Sequence, residues 1–176
     1  LRKIQNETGS APLLFMPDGG GEFVNGELAK ILEESGTDFK TTAPGNPNQN
    51  AVVERMNGTV QEKIRKILEQ ANLPPKFWQD AATHVVDVQN AMPHAGLNFG
   101  TPNAAWDPLK QDHTITRARK FGCEVWFLRN NSQTLPKGVP RHRKGVFLGF
   151  SPDAAGYRIM DLGTRKVITS RDVYFN

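Results

Sequence analysis

Two acidic residues, Asp18 and Glu54, could do chemistry together if the fold brings them to one place. Asp18 follows the apolar run "PLLFM" and Pro17 and opens onto three glycines, in "FMPDGGGEFV". Glu54 falls one turn inside a long helical pattern, with 35 residues between the two. A carboxylate at a strand end and another near a helix N-terminus can converge when that helix packs beside the strand. Converging carboxylates repel when ionised unless a cation sits between them. Hard oxygen ligands suit Mg²⁺ or Mn²⁺, and two such ions can clamp the attacking and leaving oxygens of a phosphodiester. Spacing alone does not select this chemistry, because a solvated glutamate in a first helical turn is also favoured by the helix dipole.

The elements that must hold these residues are readable from periodicity. Residues 1–8 read as a helix stopped by Gly9, and "PLLFM" (12–16) as a short buried strand. "NGELAKILEESG" reads as a helix with Leu28, Ile31 and Leu32 inward and Gly36 as its stop. "DFKTTA" reads as a strand and "PGNPNQ" (44–49) as a loop. Val53, Met56, Val60, Ile64, Ile67 and Ala71 recur at helical spacing from about Asn50 to Ala71, with Asn48 as N-cap and "NLPP" as the end. "PKFWQDAATHVVDVQNAM" predicts a second helix with Trp78, Ala81, Ala82, Val85 and Val88 inward, and "TPNAAW" a short helical turn. From about Phe121 the pattern changes. "EVWFL", "GVFLGF", "YRIMDL", "KVITS" and "DVYF" are short β-type runs separated by Pro and Gly, the pattern of a small barrel.

The composition narrows the classes. No run approaches the apolar length of a membrane span and no charged-then-apolar leader opens the sequence. The single cysteine, Cys123, excludes an internal disulfide and a Cys-rich zinc site and suits a reducing interior. The four histidines are scattered and read as surface or satisfied core residues. The net charge of +4 hides an asymmetry: residues 1–113 hold 10 Lys/Arg against 14 Asp/Glu, residues 114–176 hold 12 against 4. A polyanion is therefore a natural partner for the second half.

Local context adds to the weak spacing signal. In order, "PDGGGEF", "TAPGNPNQNAVVERMNGTV", "LPPKFW", "TPNAAW", "KFGCEVW" and "RKGVFLGFSPDAAGYRIMD…RKVITSRDVYF" resemble the copia-type retrotransposon integrase along nearly the whole chain. The resemblance implies an α/β fold: part of a ribonuclease-H-like core over 1–113, lacking its first strands, then a small all-β, Src-homology-3-like barrel over 114–176. It also implies an Asp-Asp-Glu polynucleotidyl transferase using Mg²⁺ or Mn²⁺, acting as a multimer on DNA ends and target DNA, intracellular and nuclear when acting on DNA. Asp18 matches the Asp of the family's "DNGGEF" motif and Glu54 the Glu of its "QNGVAER" motif. Gln49 and Asn50 would then face the DNA end, with Arg55 and Asn57 beside Glu54.

Three departures qualify that expectation. Gly19 replaces the Asn of the first motif and loosens the turn at Asp18. Ala51 replaces the Gly of the second. No Asp precedes Asp18, so the family's first catalytic Asp has no counterpart in this sequence. The resulting expectation is a fragment that neither cuts nor joins DNA by itself, with "PLLFM" left at an open sheet edge. The alternative is a non-catalytic, sequence-tolerant nucleic-acid-binding module. For DNA contact the candidates are Arg141, Arg143 and Lys144, then Lys137 and Arg119, in the clusters "RARK" and "PKGVPRHRKG". Phe147, Phe150 and Tyr157 could stack bases, but their alternation favours core packing.

Overall fold

The computed structural model describes residues 2–17, 26–40, 51–108, 114–129, 136–151 and 155–175. The chain divides into two compact units, Leu1–Gly58 with Asn103–Gln111, and Thr59–Pro102 with Asp112–Asn176. The second unit spans the 113/114 boundary read from the change in composition.

In the first unit, α1 (Arg2–Thr8) ends at Gly9, whose φ of 76° carries its N–H back to the Gln5 carbonyl at 2.9 Å. β1 (Leu14–Phe15) pairs in parallel with β2 (Asp38–Phe39), and α2 (Gly26–Glu34) is the crossover that a parallel pair requires. The Phe15 and Phe39 rings stack at 6.3 Å, and Leu32 is the buried residue of α2. Gly36, at φ 69°, donates to Glu33 while Thr37 donates to Leu32, so the helix closes in a Schellman motif. α5 (Pro102–Trp106) is tied to α1 by the Trp106 indole N–H, which donates to Glu7 Oε2 at 3.1 Å.

Two expectations fail here. "PLLFM" is not a buried strand: only Leu14 and Phe15 are extended, Leu13 is 86% exposed, and Leu14 and Met16 are exposed too. A two-stranded sheet is too small to bury both faces of an apolar run. Ile31 of α2 is also exposed rather than inward.

α3 (Ala51–Gln70) runs from the first unit into the second. Its predicted stripe is covered only toward its C-terminal end. Val60, Ile64, Ile67 and Ala71 are half-buried and Val53 and Met56 exposed, while the buried residue, Leu68, lies outside that stripe. The helix closes as α2 does. Asn72 at φ 52° donates to Glu69 and Leu73 donates to Leu68. After a 3-10 turn (Pro75–Phe77), α4 (Trp78–Asn90) buries Ala81, His84 and Val85. Trp78 is 55% exposed and not inward, because Phe77 takes the buried position beside it. Leu68, Phe77, Ala81, Phe121, Leu148 and Met160 form one core cluster.

α6 (Thr114–Arg117) leads into the sheet: β3 (Glu124–Leu128), β4 (His142–Phe150), β5 (Tyr157–Asp161), β6 (Val167–Ser170) and β7 (Val173–Phe175). All pairs are antiparallel, in the order β6-β5-β4-β3-β7. β6 and β7 occupy opposite edges, yet only Arg171 and Asp172 join them. In a flat sheet four spacings of about 4.8 Å would part them by roughly 19 Å. Three Cα–Cα steps reach at most about 11 Å, so the sheet must curl. A bulge between Phe147 and Gly149 bends β4, with Gly149 at φ 122°. The curl brings Tyr157 of β5 to Phe175 of β7, ring centroids 5.0 Å apart, although two strands lie between them. Val125, Phe127, Phe147 and Ile159 fill the concave face. The barrel expected from the strand pattern is present as this curled five-stranded sheet.

Candidate nucleic-acid interface

Of the residues singled out around the acidic pair, Asp18, Gln49, Asn50 and the cap Asn48 lie outside the described residues. Glu54 occupies the first turn of α3 and is exposed. Arg55 is exposed as well and its Nε donates to the Ala51 carbonyl at 3.2 Å, and Asn57 is exposed one turn along. Among the described residues no group of three or more His, Cys, Asp or Glu side chains could hold a metal ion. The structure therefore places one carboxylate of the expected pair on an accessible helix start and does not display its convergence with the other.

The basic residues divide by what they touch. Arg143 lies on the concave side and its guanidinium meets Asp161 at 3.0 Å. Asp161 also accepts from the Gly163 N–H at 2.7 Å and the Thr164 hydroxyl at 3.0 Å. Burial pushes its carboxyl up, but those hydrogen bonds together outweigh burial and hold it below the usual range. Arg143 is thus engaged in building the β5–β6 turn. Lys144 bonds Glu124 at 2.9 Å and lies 5.0 Å from the Trp126 ring centroid, still half open to solvent. Arg119 donates to the Thr116 and Ala118 carbonyls and lies over Phe175 at 5.2 Å. Lys137 and Arg141 are exposed before β4, Lys137 within a turn in which Val139 donates to Pro136.

Phe147, Phe150 and Tyr157 serve the core. Phe147 is fully buried, and Phe150 and Tyr157 are half-buried beneath the Arg117 guanidinium at 5.4 and 5.1 Å. His84 is buried against Phe121, Phe147 and Phe150, and its Nδ1 has no hydrogen-bond partner among the described residues. It is a core histidine, but not a satisfied one. Burial lowers its pKa and raises that of the Cys123 thiol.

The aromatic residues that reach solvent are different ones. Trp126, Tyr174 and His142 line an open depression of about 410 Å³ on the convex face of the sheet. Trp126 is the Cα partner of both Lys144 and Tyr174, and opposed residues in an antiparallel pair share a face. Sequence reasoning missed these three. Recognising Val125 and Phe127, and Val173 and Phe175, as inward pairs would have turned Trp126 and Tyr174 outward. His142 had no such signal.

Comparisons with known proteins agree with this architecture. Residues 123–176 match the family of the retroviral polymerase SH3-like domain, the segment that forms the curled sheet. The retrovirus-related Pol polyprotein from transposon TNT 1-94 of Nicotiana tabacum is 32% identical over 172 residues, which is 98% of this chain and 13% of the polyprotein. The corresponding polyprotein from transposon RE1 of Arabidopsis thaliana is 27% identical over 92% of this chain and 11% of its own length. An uncharacterized mitochondrial protein of Arabidopsis thaliana is 31% identical over 53% of this chain and 76% of that protein. Among solved structures, a chain of the simian T-cell lymphotropic virus intasome bound to a PP2A regulatory subunit aligns with 99% of this chain and 61% of its own. Its TM-score is 0.48 at 17% identity. The chain spans little more than a tenth of the Pol polyproteins it matches. It belongs to one family with the mitochondrial protein, is homologous to a segment of retrotransposon Pol polyproteins, and carries at residues 123–176 a retroviral polymerase SH3-like domain.

Proposed function

We propose that this chain is an integrase-region segment whose curled basic sheet binds DNA without reading its sequence. The observation that carries this reading is where the surplus charge lies. Of the four acidic residues in 114–176, Glu124 and Asp161 are already matched by Lys144 and Arg143. Exposed Lys137, Arg141, Arg165 and Lys166 remain at the loop before β4 and the β5–β6 turn. The register Leu128↔His142 and Gly145↔Asp161 sets that loop and that turn at one end of the sheet. Clustered cations of this kind displace condensed counterions from phosphates. Among the described residues these cations stand on a loop and a turn and not on a helix, and phosphate contacts of that kind position the strand rather than specify bases.

Lys137→Glu with Arg141→Glu tests this. Duplex affinity falls and the slope of log K against log salt flattens by about 2, near 0.9 per lost contact. An unchanged slope removes this end of the sheet as the interface.

The transferase reading is the finer part of the proposal. It takes the parallel β1–α2–β2 unit as a remnant of a ribonuclease-H-like core, assigns Mg²⁺ or Mn²⁺ to Asp18 and Glu54, and places the chain in a multimer on DNA ends. Glu54, the described member of that pair, stands exposed in the first turn of α3 and by itself supplies too few ligands for such an ion. Calorimetric Mn²⁺ titration decides the ligand assignment: saturable heat abolished by both Asp18→Asn and Glu54→Gln supports it. No heat, or heat indifferent to both substitutions, leaves the non-catalytic binding module.

A further inference from the structure

We propose that Trp126, His142 and Tyr174 form a stacking site for unpaired nucleobases, so that the chain prefers single-stranded to paired nucleic acid. The proposal rests on the nucleic-acid reading above and specifies which form is bound and by which atoms.

The three rings come from three strands. Tyr174 on β7 and Trp126 on β3 are directly opposed, and His142 on β4 is opposed to Leu128, two residues along β3 on the same face. The His142 and Tyr174 rings meet edge to face at 5.5 Å and 74°. Tyr174 is 65% exposed. The concave core does not need these residues, because Val125, Phe127, Val173 and Phe175 fill it from the alternate positions. The depression they line, about 410 Å³, lies within the range of about 300–1,000 Å³ usual for small-ligand sites.

The charge around the rings selects the occupant. Lys144 holds its ammonium 5.0 Å from the Trp126 centroid but is matched by Glu124 at 2.9 Å, so the surplus positive charge beside the rings comes from Arg141 and Lys137. Exposed Arg141 directly precedes His142, and Lys137 lies in the loop leading to it. A quaternary or methylated ammonium, the usual guest of an aromatic cage, would meet like charge here. A neutral proline-rich peptide would use the rings and gain nothing from the cations. A nucleotide uses both, its base on the rings and its phosphate at the basic rim. Bases within a duplex are already stacked and paired, so only unpaired or frayed strands present free faces.

The test compares the full chain with Tyr174→Ala, Tyr174→Phe and Trp126→Leu. The probes are a labelled thymidine 15-mer, a 15-base-pair duplex and a proline-rich peptide, read by fluorescence anisotropy. Both ring-removing changes lie on the convex face, and circular dichroism checks the fold. The expected result is about tenfold weaker 15-mer binding for Tyr174→Ala and Trp126→Leu, little change for Tyr174→Phe, and unchanged duplex binding. Duplex binding by the unsubstituted chain as tight as its 15-mer binding, equal loss on 15-mer and duplex, or no loss on either, overturns base stacking. So does peptide binding that Tyr174→Ala abolishes while 15-mer binding persists. If the unsubstituted chain binds neither nucleic acid, the underlying DNA-binding reading fails as well. If Lys137→Glu with Arg141→Glu weakens duplex binding while Tyr174→Ala spares the 15-mer, only the stacking site is lost.

Discussion

Arg143 and Asp161 meet at 3.0 Å where β4 opens and β5 ends, with the carboxylate side chain 6% exposed and the guanidinium 38%. One oxygen of Asp161 faces Arg143 and the Thr164 hydroxyl, and the other caps the Gly163 N–H. The pair therefore fixes a turn as well as joining two strands.

Asp161→Ala removes all three contacts and should cost about 2–3 kcal/mol, reduced from the fully buried case because Arg143 remains partly hydrated. The folded carboxyl is held below its ordinary value. Its contribution is thus complete above the unfolded value of about 3.9 and is lost as pH falls through the lower folded value. Urea midpoints from pH 7 down to 2 should show a shallower acid limb for Asp161→Asn.

His84 gives the same sign at a higher pH. Burial lowers the pKa of its ring, so the unfolded chain binds more protons than the folded one below about pH 6.5. Stability should fall as pH drops from about 7 to 5. His84→Leu removes the orphan Nδ1 and should flatten that slope at little cost at pH 7.5. A slope unchanged by the substitution would assign the pH dependence to other groups.

Two glycines should respond in opposite directions to alanine. A Cβ at Gly145 would lie 2.4 Å from Ile159 Cγ2 and 3.0 Å from the Met160 carbonyl, so Gly145→Ala should cost about 1–3 kcal/mol. Gly58 lies inside α3 with nothing within 4 Å, so Gly58→Ala should stabilise by about 0.5–1 kcal/mol. Thermal melting of both variants checks the pair.

Arg158 on β5 reaches Asp80 on α4 through Nε at 2.8 Å and a terminal nitrogen at 2.7 Å. A double-mutant cycle with Arg158→Met and Asp80→Asn should return a coupling of about 1 kcal/mol. A coupling near zero would mean that packing alone holds the helix to the sheet.

Much of this fold was legible because its signals are local. Gly9, Gly36 and "NLPP" stop helices through left-handed caps that nearest neighbours specify. Each β-type run became a strand. What failed depended on partners distant in sequence. "PLLFM" and the start of α3 carry apolar residues that periodicity turns inward, but periodicity cannot say whether a covering layer exists. Phe77 and Trp78 compete for one buried position, and composition does not rank them. The site divides similarly. Basic clusters are visible as letters, but Arg143 is taken by Asp161, and the aromatic depression exists only because β7 returns beside β3.

That return has a kinetic consequence. β3 emerges first among the five strands, yet one of its two edges is satisfied only by β7, the last to be made. Until Phe175 is available, the rings of Phe147 and Tyr157 lack a neighbour that they contact in the finished sheet. Closure is therefore a late, long-range event, slowed by the entropy of bringing the sequence ends of the sheet together. A nascent chain halted before β7 presents an open strand edge beside unsealed aromatic surface, the state most exposed to aggregation and to chaperone capture.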